Sequence, residues 1–247
     1  MKLAMAALAG ALACGAAQSA ELSVLSGGAI EPGLHAAVAA FEKDSGHHVR
    51  ITFNTTPQIL KRVGEGSDRF DVVIAPPAAI DALAKDGKVA GERVNVGKVG
   101  LGVAIRPGAP VPDIATVEAV QRAVLEADSL TYNRASTGIY FENLLKKWGI
   151  ADQVQAKTTR YADGASVMEH ALKGQGREIA FGAITEIKLY AGKGLRYIGP
   201  LPAAVQNHTS YLATPMAGGT QAELAQGFVR FLGSPMAKQR FVDAGIE

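Results

Sequence analysis

Cysteine is almost absent: the single one, Cys14, lies inside an apolar N-terminal run. With that run removed the chain holds no thiol, which excludes disulfides, a cysteine nucleophile and thiolate metal sites. Charge of one sign is also missing. Lys2 apart, 24 of the 25 lysines and arginines stand against 23 acids, and no basic stripe interleaves with aromatic residues. Nucleic acid is therefore not an expected partner. Beyond residue 20 no apolar stretch approaches a membrane-spanning length. His35, His47, His48, His170 and His208 make no metal-ligating spacing. No His-Glu-x-x-His pair, nucleophile elbow, Walker loop or dinucleotide fingerprint occurs. The expectation is no metal, no cofactor and no enzyme, although a dispersed Ser/His/Asp set could still assemble in space.

What is present begins with Met1-Lys2, an unbroken small and apolar run from Leu3 to Ala17, and Gln18-Ser19-Ala20. That pattern predicts a secretory signal over residues 1–20 and a periplasmic mature protein, cut after Ser19 or Ala20. A lipoprotein signal would usually carry leucine three places before its cysteine, where this chain has Ala11. Without thiols, stability must come from an ordinary buried core. Residues 21–247 suffice for one large domain or two lobes of about 110 residues each. A monomer is the default expectation.

Short apolar runs alternate with helical patterns, predicting an α/β fold. Leu22–Leu25, Val49–Phe53, Asp71–Ala75, Val99–Ile105, Leu130–Asn133, Ile179–Ala183 and His208–Ala213 read as strands. Leu34, Val38 and Phe41 recur at helical spacing before a C-cap at Gly46. Thr56 is the expected cap of a helix with Pro57 first, Thr116 of one reaching Glu126, and Thr220-x-x-Glu223 reads as a capping box.

The most informative pattern occurs three times. A strand enters a short loop of Ser, Thr or Gly, and a helix starts at once: Ser26-Gly27-Gly28, Asn54-Thr55-Thr56 and Ala135-Ser136-Thr137-Gly138. Helix N-termini present unpaired N–H groups and a partial positive charge, hydroxyls add donors, and glycine lets backbone approach closely. Each loop taken alone reads more readily as an ordinary cap. Three at the carboxyl ends of strands point to a small-anion clamp. Arg134, and Arg160-Tyr161, could add a fork for a carboxylate or be solvated. Trp148 reads as core.

The order and spacing of Leu22–Ala29, Phe53–Thr56 through Phe70–Ala75, Ala135–Tyr140, Ser166–Gly174 and Phe228–Pro235 resemble the molybdate-type periplasmic binding proteins that serve ABC importers. The resemblance spans the mature chain. It implies a type II periplasmic binding protein fold: two α/β lobes, each a mixed sheet flanked by helices, hinged on two crossing strands, with 21–103 and 204–247 in lobe 1 and 104–203 in lobe 2. It also implies capture of a molybdate- or tungstate-type oxyanion by lobe closure and delivery to an inner-membrane ABC permease. The implied ligand contacts are the hydroxyls of Thr55 and Thr56, a backbone donor near Thr137-Gly138 and one near Val167, to which the loop pattern adds Ser26, Gly27, Gly28 and Ser136. Arg134 and Tyr161 are possible replacements, because Ala29 and Ala183 stand where that family carries a serine and a tyrosine. An organic carboxylate is the alternative ligand. A partner of a membrane receptor and a secreted hydrolase are the remaining alternatives.

Overall fold

The computed structural model describes residues 19–66 and 68–247. The expected export signal lies outside them except for its last two residues.

One half of the molecule is built on three parallel strands with β1 (Glu21–Gly27) between β2 (His48–Asn54) and β3 (Val72–Ala75). All residues of β1 after Glu21 are buried, as its continuous apolar run requires of a strand covered on both faces. Helices α1 (Glu31–Ser45), α2 (Thr56–Glu65) and α3 (Pro77–Lys85) follow these strands in turn. The expected left-handed cap at Gly46 is present, with φ 73°. Leu22, Val24, Leu34 and Phe41 pack on one sheet face with Phe228 and Phe241 of α9 (Ala222–Leu232) and α10 (Pro235–Asp243). Leu25, Val73, Ile59 and Ile80 fill the other, beneath α2 and α3.

The other half holds β5 (Ser129–Asn133), β6 (Thr158–Tyr161), β7 (Glu178–Ala183) and β8 (Arg196–Pro200). They are interleaved with α4 (Val117–Glu126), α5 (Ser136–Lys147), α6 (Ala151–Gln155), α7 (Gly164–Lys173) and α8 (Ile184–Leu189). Phe141 stacks on Phe181 at 3.8 Å between ring centroids, and Trp148 packs against that core.

Two crossings join the halves. β4 (Val94–Ile105) pairs with β9 (His208–Pro215) through Gly100, then with β7 and β8 from Leu101 onward. The return runs through 201–207, where the Gln206 carboxamide accepts from the Leu101 N–H at 3.1 Å and donates to its carbonyl at 2.9 Å. The full order is β2-β1-β3-β9-β4-β7-β5-β6, with β8 on β4.

Two expected caps are corrected. Thr55, not Thr56, is the N-cap of α2, its backbone N–H donating to Gln58 Oε1 at 3.0 Å. Pro57 is thereby the second helical residue, and the Thr56 hydroxyl is left for other contacts. Thr220 and Glu223 form no capping box, because the buried Asp71 carboxylate captures Thr220 first: Oδ1 accepts its N–H at 2.7 Å and its hydroxyl at 3.2 Å. Gln221 becomes the cap position of α9.

Candidate functional site

A cleft of about 620 Å³ opens between the two halves, at the carboxyl ends of β1, β2 and β5. Gly27, Gly28, Thr55 and Thr56 line it from one side, and Ser136 and Thr137 from the other. The three loops recognised in the sequence therefore do meet. The walls touch at Thr56 Oγ1 and Ser136 Oγ, 3.4 Å apart, and again where the Thr185 hydroxyl donates to the Ala29 carbonyl. Gly27 is a glycine for a local reason: a Cβ there would lie 2.6 Å from the Tyr211 ring.

Other expected contacts do not reach the cleft. Ser26 is wholly buried and its hydroxyl donates to the Gly27 carbonyl at 3.1 Å. The Gly138 N–H is consumed by Asn133 Oδ1 at 3.0 Å, and the Thr137 hydroxyl is tied to the same carboxamide. Asn133, the last residue of β5, thus caps α5 from below and removes donors assigned to the ligand. Val167 is buried inside α7, its N–H donating to the Asp163 carbonyl. Gly164 and Ala165, one turn earlier, line the cleft in its place. Arg134 is exposed outside the lining, and the Tyr161 ring packs against His170 at 5.1 Å. Arg160 is held by Glu142 at 2.8 Å.

The residues that sequence reasoning missed are mostly acidic. Asp163 accepts the Ser166 N–H at 2.8 Å as the cap of α7, and Glu169 accepts weakly from the Tyr190 hydroxyl at 3.5 Å. Glu31 opens α1, and among the described residues Lys193 is the one cationic side chain in the lining. The Asp163–Ser166 spacing is a legible cap signal; the others carry no local motif.

Glu186 is the most unusual of them. It projects from the first turn of α8, and its Oε2 is sealed from solvent without a hydrogen-bond partner. Its carboxyl occupies space left open by two glycines: a Cβ on Gly164 would collide with it, and one on Gly28 would come within 3.4 Å. Burial raises its pKa to about 7; the Ala183 backbone pulls downward, and the Asp163 and Glu31 carboxylates push further up. Tyr211, from β9, is buried in the same lining, and its hydroxyl pKa is raised by burial and by the Glu186 charge. The Ala183 backbone serves one side of the carboxyl, but sealing Oε2 from water without a partner is costly, and groups with such strongly shifted pKa values cluster at functional sites.

Two α/β lobes, mixed sheets flanked by helices, crossing strands and a cleft lined from both sides define the type II periplasmic binding protein fold. The chain belongs to the bacterial extracellular solute-binding protein family, whose model matches residues 22–247. It is 27% identical over 231 residues to the aconitate isomerase of a Pseudomonas species, covering 92% of this chain and 87% of that one. It is 28% identical over 251 residues to the molybdate-binding protein ModA of Azotobacter vinelandii, covering 96% and 94%. The solved periplasmic molybdate-binding protein of Azotobacter vinelandii superposes with a TM-score of 0.76 at 17% identity, over 92% of this chain and 98% of that one.

Proposed function

We propose that this protein is a periplasmic solute-binding protein that captures a small organic carboxylate by closure of its lobes, 21–103 with 204–247 against 104–203, and presents it to an ABC importer. The observation that carries the reading is the lining itself. Thr55 and Thr56 at the start of α2, Ser136 at the start of α5 and Gly164 at the start of α7 face one space from both halves. Helix N-termini bind carboxylates through backbone N–H groups and need few cations. Binding by closure makes and breaks no bond; the ligand favours the closed form by its greater affinity for it.

An organic anion fits better than molybdate or tungstate on two grounds. Ala29 and Ala183 offer no side-chain donor, and the Gly138 N–H is spent on Asn133. The cleft, about 620 Å³, falls within the roughly 300–1,000 Å³ of pockets that take small organic ligands. A relative that acts on aconitate supports the same ligand class. The acids of the lining do not forbid it: Asp163 is engaged as a cap, Glu186 is partly protonated near neutrality, and Lys193 adds a positive charge.

The test is a thermal-shift and calorimetric panel of molybdate, tungstate, sulfate, citrate and cis- and trans-aconitate. A ligand at about 100 times its Kd stabilises by roughly 2.7 kcal/mol. Shifts with the carboxylates are expected; shifts with molybdate and tungstate alone would restore the oxyanion reading.

A second reading, that the cleft also transforms its ligand, is favoured by the sealed, unpartnered Oε2 of Glu186 and by the isomerase relative.

A further inference from the structure

We propose that Glu186 is a catalytic residue: it takes an allylic proton from an unsaturated carboxylate bound in the cleft and returns it to the far end of the three-carbon unit, moving the double bond. This rests on the reading of the cleft as a carboxylate site. Glu186 is the only side chain of the lining with a sealed and unpartnered carboxyl oxygen among the described residues. Among the described residues no arginine or lysine pairs with it, so it does not serve there as half of an ion pair. Gly164 leaves its carboxyl room that any larger residue would fill, and Gly28 of the facing wall lies within contact of it. A carboxyl kept in this way between two walls, beside helix N-termini that attract anions, is placed to meet the carbon of a ligand whose carboxylates those termini hold.

The step balances without a co-reactant. A lone pair on the Glu186 carboxylate takes the proton from the sp³ carbon that lies between a carboxylate and the double bond. The C–H electron pair becomes the new double bond, and the old π pair moves onto the far carbon and into its attached carboxylate. Rotation within this delocalised anion allows either geometry. The Glu186 carboxyl then returns the proton to the far carbon, restoring the carboxylate, with no net oxidation or hydration. Charge that develops on the ligand's carboxylate faces the first residues of α2, α5 and α7, at Thr56, Ser136 and Gly164, whose N–H groups stabilise it. The groups that face Glu186 are Glu31 from α1, Asp163 ahead of α7 and Tyr211 from β9, with Lys193 farther along the lining. The two acids keep the base strong enough to be useful near neutrality, since proton transfer is best when the base titrates near the working pH.

The experiment is proton NMR of the mature protein with saturating cis- or trans-aconitate in heavy water, following deuterium uptake and interconversion, with the melting temperature recorded in parallel. Wild-type protein should incorporate deuterium at both ends of the allylic unit, at a rate that rises with pH through the neutral region. Glu186→Gln should lower that rate by about 10²-fold or more. A structural role would not move the pH profile, so the wild-type profile keeps the test open even if Glu186→Gln folds poorly. Stabilisation by aconitate without deuterium uptake overturns the inference and leaves ligand capture standing. So does uptake with a flat pH profile, or at an unchanged rate in Glu186→Gln. Neither stabilisation nor uptake overturns both the inference and the carboxylate reading.

Discussion

Asp71→Asn should lower stability without altering the cleft. The carboxylate is 3% exposed and joins three segments distant in sequence. Its Oδ2 accepts the Ser23 N–H and hydroxyl, both at 2.8 Å, and its Oδ1 accepts the N–H groups of Thr220 and Gln221 at 2.7 and 3.1 Å. Asparagine keeps one oxygen for one pair and turns an NH₂ toward the other. The Ser23 hydroxyl can swing to the Arg69 carbonyl, 3.3 Å away, but the Ser23 N–H faces a donor. A hydrogen bond to a charged acceptor contributes about 1.5–3 kcal/mol, and an orphaned buried N–H adds about 1–3 kcal/mol of desolvation. The expected loss is therefore about 3 kcal/mol, or roughly 6–12 °C in Tm for a chain of this size. Burial raises the Asp71 pKa, but the hydrogen bonds from Ser23, Gln221 and Thr220 outweigh it and hold it below its ordinary 3.8. A carboxyl whose folded pKa is depressed stabilises above its unfolded pKa and loses that contribution as pH falls through the folded value. The gap between wild type and variant should thus be full at pH 6 and shrink as the pH drops below 3.8. Urea unfolding across pH measures it. A variant within about 1 °C of wild type at pH 6, or a gap that widens in acid, would refute the reasoning.

Thr56→Ala and Ser136→Ala should each weaken carboxylate binding by about tenfold, the equivalent of one hydrogen bond to a charged ligand, as read by calorimetry. Gly138→Ala should destabilise by more than about 2 kcal/mol, since the added methyl meets the Asn133 carbonyl; chemical denaturation checks this. Glu186→Gln should melt with wild type at pH 4.5 and above it at pH 8. Ionisation of a carboxyl whose folded pKa of about 7 exceeds its ordinary value of 4.5 removes stability as pH rises between those values.

Much of the fold was written locally. Strands such as Asp71–Ala75 and Ile179–Ala183 are short apolar runs bounded by turn residues, and Gly46 closes α1 as its position promised. The short α6 and α8, five and six residues long, lacked enough turns to show a helical period. Caps were legible to within a residue, but local rules failed where a distant group competed. Thr220 lies 149 residues from the Asp71 carboxylate that claims it, a contact no window along the chain can contain.

The candidate site divides along the same line. Strand-loop-helix segments with Ser, Thr and Gly were determined by the sequence alone, because helix N-termini and small residues are local properties. Their convergence was decided by tertiary structure, through the strand order that sets the ends of β1, β2 and β5 around one cleft. So was the loss of the Gly138 and Val167 donors, which depends on how each loop spends its own N–H groups. Glu186 was invisible beforehand, since a glutamate in a first helical turn is ordinary in sequence. What sets it apart is a carboxyl oxygen sealed between two walls brought together from opposite halves of the chain, and such sealing is a property only the folded molecule has.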